Sequence, residues 1–172
     1  MRVQKCMSLI LAATMTLIFT ASTAAREPTT ETDLSATLDG KPIPLGSAGA
    51  WPCHDFEYPI IRCFTTVDML MSAIGPEGGD GVVAAAATTP HVTAYDFTYY
   101  GGTNPKVLST DQEWLFLIGW NDVTSSFKSF GATGRWWENS PRGGLLYEYG
   151  ATTQVPVLSS TYNNKFSAFE ID

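Results

Sequence analysis

Basic residues, histidine and cysteine are all scarce in this sequence. Lys and Arg number 10 against 17 Asp and Glu, which gives a net charge of −7. Such an acidic chain is a poor ligand for nucleic acid or an anionic membrane, and it suits cations. The 2 histidines, His54 and His91, lie in no zinc-binding spacing, and we expect both on the surface. No G-x-S-x-G sequence occurs and nothing points to a Ser/His/Asp triad, so we expect a non-enzymatic protein. No EF-hand loop occurs either.

The chain also lacks an apolar run long enough to span a bilayer. The run 6–20 is shorter than the ~20 residues that a membrane helix needs. It follows Arg2 and Lys5 and precedes small residues, which is the pattern of a cleaved secretory signal. We therefore expect residues 1–25 to be removed and the remainder to be secreted, without membrane attachment.

Cysteine is limited to 3 residues, of which Cys6 belongs to the predicted signal. The remaining pair, Cys53 and Cys63, predicts a disulfide, because exported chains with an even cysteine count commonly form them. A metal or redox pair is the alternative, but the spacing is not C-x-x-C and only His54 lies nearby. Closing a loop of about ten residues stabilises a fold by about 2–3 kcal/mol in the chain-entropy model.

Composition divides the rest of the chain into three parts. Residues 26–36 are rich in Thr, Glu and Ser and predict a disordered lead-in. Residues 37–87 predict a small α+β segment that contains the disulfide and ends in a linker rich in Gly and Ala. Residues 88–172 carry short aromatic and β-branched runs between Gly, Asn, Asp and Ser, the pattern of an all-β sandwich.

Local signals organise the segment 37–87. Residues 38–41, Leu-Asp-Gly-Lys, predict a turn, and the chain between the two cysteines predicts a hairpin. Thr65 with Asp68 resembles a capping box that opens a short helix ended by Gly75. The apolar face of this helix would hold Val67, Leu70, Met71 and Ile74.

The second half of the chain repeats itself at a constant offset of 42 residues, the distance from position 95 to position 137. The matches are Tyr95 with Trp137, Asp96 with Glu138, Gly101-Gly102 with Gly143-Gly144, Trp120-Asn121-Asp122 with Tyr162-Asn163-Asn164, Ser125 with Ser167, and Phe127 with Phe169. A repeat of this length is one supersecondary unit used twice. Four strands in about 42 residues make a Greek key, and two keys, at about 91–132 and 133–172, pack into a sandwich.

Two short motifs in this repeat resemble the βγ-crystallin family. Tyr95 to Gly102 matches its Greek-key signature, aromatic-x4-aromatic-x-Gly, and Asn121 to Ser126 matches the microbial calcium motif, (Asn/Asp)-(Asn/Asp)-x-x-(Ser/Thr)-Ser. The second unit departs from both patterns, because Arg142 replaces the second aromatic and Ala168 replaces the last Ser. The resemblance covers half of the chain and implies a secreted, calcium-binding sandwich of two Greek keys.

The resemblance also implies two Ca²⁺ sites, each shared between the two loops and built from oxygen ligands. One site would combine the Val123 carbonyl, the Ser125 hydroxyl, the Asn164 side chain and the Glu138 carbonyl. The other would combine the Lys165 carbonyl, the Ser167 hydroxyl, the Asp122 side chain and the Asp96 carbonyl. Asn121 and Asn163 open the two loops. Few of these ligands are charged, so we expect modest affinity, micromolar or weaker.

The departures of the second loop affect the two sites unequally. Ser167 is kept, so Ala168 is expected to remove support for the loop and not a ligand. The Lys165 ammonium would lie close to its ion, so the site on Val123 and Ser125 is expected to be the stronger. In the alternative interpretation, the Asx pairs are ordinary turn residues and the match reports the fold alone.

Two further functional classes remain open. A protease inhibitor or a killer-toxin-like antimicrobial protein would present a rigid loop to an extracellular protease or a target cell, from 137–144 or 53–63. A carbohydrate-binding module would expose Trp136 or Trp137 to a cell-wall glycan, although one ring is expected to be the motif aromatic and its neighbour to pack on the other side of the strand. In each case we expect a monomer.

Overall fold

The computed structural model describes residues 34–75 and 89–172, in which short strands dominate. The strands are β1 (Ser35–Leu38), β2 (Lys41–Ile43), β3 (Cys53–Glu57), β4 (Ile60–Cys63), β5 (His91–Tyr95), β6 (Lys106–Leu108), β7 (Ser126–Phe130), β8 (Gly134–Asn139), β9 (Gly143–Tyr149), β10 (Gln154–Val155) and β11 (Ala168–Ile171). One α-helix, α1 (Val67–Ile74), and 3-10 turns at Leu45–Ala50, Thr98–Tyr100 and Leu115–Ile118 accompany them. In these ranges no helix is long and apolar enough to cross a membrane.

The strands form two sheets, and each repeat contributes a strand or a β-bridge to the sheet of the other. The larger sheet has the order β10-β7-β5-β6-β3-β4-β1-β2, and the smaller has the order β11-β8-β9. Strand β10 of the second key (133–172) completes the sheet of the first key (91–132), while Gln112 of the first key bridges to Phe169 in the sheet of the second. The predicted all-β sandwich of two Greek keys is therefore confirmed.

The aromatic core lies between the two keys. Phe127 and Phe169, which match at the repeat offset, are both fully buried. Trp136 lies between them, with its ring centroid 5.8 Å from that of Phe127 and 4.7 Å from that of Phe169, and it stacks on Phe166 at 5.2 Å. Burying one such side chain contributes about 1.5–3 kcal/mol, so this cluster holds the sheets together.

The N-terminal unit, residues 34–75, consists of two hairpins and the helix. The hairpin β1–β2 turns at Asp39 and Gly40, whose φ angles of 47° and 78° define the left-handed turn that Asp-Gly favours. Cys53 and Cys63 lie opposite each other on β3 and β4 and form the predicted disulfide. In α1, Leu70 and Ile74 are buried as expected.

Two local predictions in the N-terminal unit were wrong. Thr66, and not Thr65, caps α1, because the Met69 amide donates to the Thr66 hydroxyl at 3.2 Å. The predicted lead-in ends too late, since Ser35 and Ala36 belong to β1, which pairs in parallel with β4 and buries Ala36. The rest of the lead-in, the signal and the linker at 76–87 lie outside the described residues.

The histidines and the N-terminal unit also occupy unexpected places. His54 and His91 are each only 6% exposed, whereas the sequence suggested surface positions. Both lie in a row of packed rings that runs through Phe64, His54, Phe56, His91 and Phe130. Strand β3 pairs in parallel with β6, so the N-terminal unit extends the sheet of the first key without a break.

Candidate metal centre

The two loops that resemble calcium motifs have the same backbone geometry. Asp122 and Asn164, which match at the repeat offset, both adopt a left-handed conformation with φ of 55°. Asx residues tolerate this conformation better than other non-glycine residues, which explains the Asx at each position. The duplication seen in the sequence therefore extends to the backbone of the loops.

Reciprocal hydrogen bonds join the two loops. The Asp122 amide donates to the Phe166 carbonyl at 2.9 Å, and the Asn164 amide donates to the Thr124 carbonyl at 3.0 Å. Each loop therefore satisfies a backbone group of the other, and the second Asx of each is held beside the serine of its partner. The structure thus brings the two loops, one from each key, together.

The carbonyls at Asp96 and Glu138 are distributed differently from the sequence prediction. The Ser125 amide donates to the Tyr95 carbonyl and the Ser167 amide to the Trp137 carbonyl, each at 2.8 Å. Because strands β5 and β7 pair within one key, as do β8 and β11, Asp96 lies beside Ser125 and Glu138 beside Ser167. The predicted exchange of these two carbonyls was wrong.

From this arrangement we infer two groups of candidate oxygen ligands. The Ser125 set contains the carbonyls of Asp96 and Val123, the Ser125 hydroxyl and the Asn164 side chain. The Ser167 set contains the carbonyls of Glu138 and Lys165, the Ser167 hydroxyl and the Asp122 side chain. Of the residues that open the loops, Asn121 donates from Nδ2 to Asp122 Oδ2 at 2.7 Å, and the Asn163 amide bonds to the Ser159 carbonyl at 2.8 Å.

The Ser125 set is the better assembled of the two. Ser125 is buried, and its hydroxyl donates to Asn164 Oδ1 at 3.0 Å, so side chains of both keys already meet there. Within the described residues, no hydrogen bond links the hydroxyl of Ser167 to Asp122, whose carboxylate bonds to Asn121 instead. That the site on Val123 and Ser125 is the stronger stays a prediction.

Unsatisfied oxygens accompany both loops. Asp96 Oδ1 and Asn163 Oδ1 are buried and have no hydrogen-bond donor among the described residues. The Asp96 carboxylate lies against Gly102, whose φ of 110° and missing side chain leave room for it, since a Cβ there would overlap Oδ1. Buried oxygens without donors cost free energy, which a cation bound nearby would reduce.

The donor chemistry fits calcium better than a transition metal. All the donors are oxygens, which hard cations prefer, and calcium accepts carbonyl, hydroxyl and carboxylate ligands at about 2.3–2.6 Å. Among residues 34–75 and 89–172, no group of three or more His, Cys, Asp and Glu side chains is placed to hold a metal. A zinc or copper site, which needs such nitrogen or sulfur ligands, is not supported.

The Ser-to-Ala departure removes support for a hairpin. Ser126 is fully buried, and its hydroxyl donates to the Phe97 carbonyl at 2.6 Å and accepts from the Tyr100 amide at 3.0 Å. Ala168 has no hydroxyl for this purpose. In the second key the hydroxyl comes from the hairpin instead of the strand, because the Ser140 hydroxyl donates to the Ser167 carbonyl at 2.6 Å.

The aromatic-to-Arg departure replaces ring packing with ion pairs. In the first key Tyr100 packs on Tyr95 at 5.7 Å, as the signature requires. In the second key Arg142 pairs with Asp111 at 2.8 Å and with Glu170 at 3.2 Å. The second hairpin is therefore held down by charge instead of an aromatic pair.

Trp136 and Trp137 lie on opposite faces of β8, as the preferred interpretation expected. Trp136 is fully buried in the core, which contradicts the alternative in which it binds a glycan, while Trp137 lies half-buried on the opposite face. The Trp137 ring nitrogen donates to Glu170 at 3.3 Å. Among the described residues, the most exposed aromatic side chains are Phe97 and Tyr99, at 63% and 75%.

Sequence reasoning missed two buried charged residues beside the loops. Lys106 is 1% exposed, and burial lowers its pKa to about 7. Asp55 is also 1% exposed, and burial raises its pKa to about 6 although four hydrogen bonds favour the carboxylate. No motif marks either residue, because each is defined by the junction between the N-terminal unit and the first key.

Comparison with known proteins found similar chains among solved structures alone. No family model and no curated protein matches the chain. Among solved structures, an archaeal βγ-crystallin is 23% identical over 49% of this chain and 100% of its own, with a TM-score of 0.43. A βγ-crystallin domain from Clostridium beijerinckii is 27% identical over 47% of this chain and 95% of its own, with a TM-score of 0.42. A βγ-crystallin from Ciona intestinalis is 19% identical over 48% of this chain and 99% of its own, with a TM-score of 0.44.

These likenesses have TM-scores below 0.5 and carry no weight of their own. The assignment rests on features of the chain itself. Each key lends a strand or bridge to the sheet of the other, each carries a Gly-Gly hairpin beneath an acidic residue, and the two Asx-Ser loops are joined by reciprocal hydrogen bonds. Residues 91–172 therefore form a domain with the βγ-crystallin fold.

Proposed function

We propose that this protein is a secreted, non-enzymatic calcium-binding protein in which Ca²⁺ stabilises the sandwich of two Greek keys. The observation that carries the proposal is the contact between Ser125 and Asn164, whose side-chain oxygens meet at 3.0 Å across the boundary between the keys. A cation at the Ser125 set would replace the hydroxyl proton as the partner of the Asn164 oxygen. It would thereby link the two keys.

The Ser167 set is proposed as a second, weaker site. Asp122 supplies the only side-chain carboxylate among its donors, and that carboxylate is already engaged by Asn121 at 2.7 Å. Lys165 is exposed and contributes a carbonyl, but its ammonium opposes a cation nearby. Calcium should therefore fill the Ser125 set first.

Binding that is specific to the folded state stabilises the protein by mass action. Saturation to one hundred times Kd contributes about 2.7 kcal/mol to the free energy of unfolding. Few of the proposed ligands carry a full charge, so affinity should be micromolar or weaker, as is common for extracellular modules. This range suits a secreted protein exposed to millimolar calcium.

Isothermal titration calorimetry on the full chain lacking residues 1–25 tests the proposal. Wild type should release or absorb heat with calcium and none with magnesium at the same concentration. Ser125→Ala should weaken the first binding event by at least about tenfold, since losing one ligand to a charged group costs about 1.5 kcal/mol or more. Ser167→Ala, the matched change in the other loop, should alter only the weaker event.

The opposite result would reject the proposed order of sites. If Ser167→Ala removes the tighter event and Ser125→Ala leaves it intact, the ranking of the two sets is wrong. If neither variant differs from wild type, the loops do not bind the ion. The protease-inhibitor and antimicrobial alternatives stay predictions, because no contact in the described residues favours them over the calcium proposal.

A further inference from the structure

The N-terminal unit holds the segment that leads into the first loop. Asp55 on β3 is buried and accepts hydrogen bonds from residues just after β6. The Ser109 amide and hydroxyl donate to it at 2.6 and 2.7 Å, the Thr110 amide at 3.2 Å and the Gln112 side chain at 3.0 Å. One carboxylate of the N-terminal unit thus fixes the start of the connection between β6 and β7.

Two glycines bring the N-terminal unit against the end of the same connection. Gly49, in the 3-10 turn Leu45–Ala50, lies so close to Gly119 that a Cβ on Gly49 would overlap the Gly119 carbonyl. Gly119 also lies against the Gly46 carbonyl, 2.7 Å from where its own Cβ would be. Gly119 is two residues before Asn121, so this contact fixes the backbone at the entrance to the loop 121–126.

A buried lysine extends this link to the loop itself. The Lys106 ammonium donates to the Trp51 carbonyl of the N-terminal unit and lies 4.2 Å from the centroid of the Trp120 ring. The Trp120 ring nitrogen donates to the Thr124 hydroxyl at 3.0 Å, and the Thr124 carbonyl accepts the Asn164 amide at 3.0 Å. A continuous series of contacts therefore runs from Trp51 to Asn164 of the Ser125 set.

We propose that the N-terminal unit is a positioning element for the loop 121–126 and so for the Ser125 set. The effect of the N-terminal unit on calcium affinity rests on the function proposed above. If docking of the N-terminal unit restricts the loop to its binding geometry, docking and cation binding favour one another, and the effect is reciprocal. The sandwich and its N-terminal extension are then one functional unit.

Two glycines of the same turn provide a matched test. Gly49→Ala forces the backbones of Gly49 and Gly119 apart, whereas nothing lies within 4 Å of a Cβ at Gly46. Neither residue has a left-handed φ, so the two alanine variants differ in contact and not in backbone strain. Lys106→Met is a second variant that keeps the stem of the side chain and removes its ammonium.

Hydrogen exchange in the calcium-free full chain lacking residues 1–25 gives the first readout. Gly49→Ala and Lys106→Met should raise exchange at the amides of Trp120, Asp122, Ser125 and Asn164 by about tenfold relative to Gly46→Ala, in line with typical coupling energies. In Gly49→Ala and Lys106→Met, the amide exchange rates of β8 and β9 should equal those of Gly46→Ala. Equal protection in all variants, or a rise shared equally by β8 and β9, overturns the proposal.

Calcium calorimetry on the same variants gives the second readout. Gly49→Ala should bind the first calcium about tenfold more weakly than Gly46→Ala, which should match wild type. Equal affinities in the two glycine variants overturn the coupling. A wild type that takes up no calcium rejects the proposed function and the coupling with it, while the exchange ratio still decides whether the N-terminal unit positions the loop.

Discussion

At the scale of single residues, His54 and Asp55 are neighbours on β3 with opposite responses to pH. Burial lowers the pKa of His54 to about 4, and burial raises the pKa of Asp55 to about 6. The unfolded chain binds a proton at His54 before the folded chain does, so His54 reduces stability as pH falls from about 6.5 to 4. The folded chain binds a proton at Asp55 first, so Asp55 adds stability as pH falls from about 6 to 4.

Substitution of each residue should therefore tilt the pH profile in opposite directions. Wild type should lose stability on the order of 3 kcal/mol through His54 as pH falls, given the size of its pKa shift. His54→Phe should reduce this loss of stability. In Asp55→Asn, stability should fall more steeply than in wild type between pH 6 and 4. Urea unfolding at pH 7 and at pH 4.5 measures both slopes. Parallel slopes in wild type and the two variants would contradict the assigned burial effects.

At the scale of elements, the two Gly-Gly hairpins, one in each key, are hydrogen-bonded to the neighbouring chain by different serines. Ser126 on β7 holds the first hairpin through two hydrogen bonds, while Ser140 holds the second through the Ser167 carbonyl. This exchange explains how Ala168 is tolerated on β11 at the position equivalent to Ser126. In the first key the serine that supports the hairpin lies on a strand, whereas in the second key it lies on the hairpin itself.

Removing either serine hydroxyl should destabilise its own key. Ser126→Ala should lower the free energy of unfolding by about 1–3 kcal/mol, because the Phe97 carbonyl and the Tyr100 amide both lose their partner. Ser140→Ala should lower it by about 1 kcal/mol, since one bond is lost. The exposed Ser47→Ala is the control and should leave stability unchanged. Chemical denaturation measures all three, and a neutral Ser126→Ala would show that its two bonds do not support the hairpin.

The disulfide acts at the same scale, because it closes the hairpin that joins the N-terminal unit to the sandwich. Cys53 lies opposite Cys63 on β4 and also opposite Lys106 on β6. The variant Cys53→Ala with Cys63→Ala should lose about 2–3 kcal/mol of stability. A reductant should lower the melting temperature of wild type towards that of the variant. Insensitivity of wild type to the reductant would contradict a stabilising role.

Much of the fold could be predicted from the sequence, for physical reasons that the repeat makes plain. The positions that recur at the offset of 42 residues are those where geometry leaves little choice: Gly102 and Gly144 beneath an acidic side chain, Asx at left-handed backbone, and Phe127 with Phe169 in the core. The disulfide was predicted from the even cysteine count and the expected export of the chain. These features depend on local chemistry, which a single sequence records.

The remainder depended on contacts between segments far apart in the chain. The pairing of β3 with β6 has no local signal, so the burial of His54, Asp55 and Lys106 was not foreseen. The grouping of Asp96 with Ser125 follows from strand pairing within one key, and ligand spacing alone does not reveal it. The sequence thus indicated which residues are candidate ligands but not how the structure groups them.

At the scale of the whole molecule, contacts within the described residues join the N-terminal unit, the two keys and the two loops. The N-terminal unit contacts the chain before the first loop, the first loop bonds to the second, and the second loop belongs to the key that closes the core. Calcium bound between the loops would therefore stabilise the N-terminal unit and both keys together. A single cooperative unfolding transition should shift as a whole when calcium is added.

Thermal unfolding of the full chain lacking residues 1–25, with millimolar calcium and then with excess chelator, tests the central claim most directly. We expect one transition whose midpoint rises by about 5–10 °C with calcium and returns with chelator, which corresponds to about 2.7 kcal/mol of binding energy in a domain of this size. Ser125→Ala should lose most of this rise. A wild-type midpoint that is unmoved by calcium, together with no heat of binding, would contradict the account.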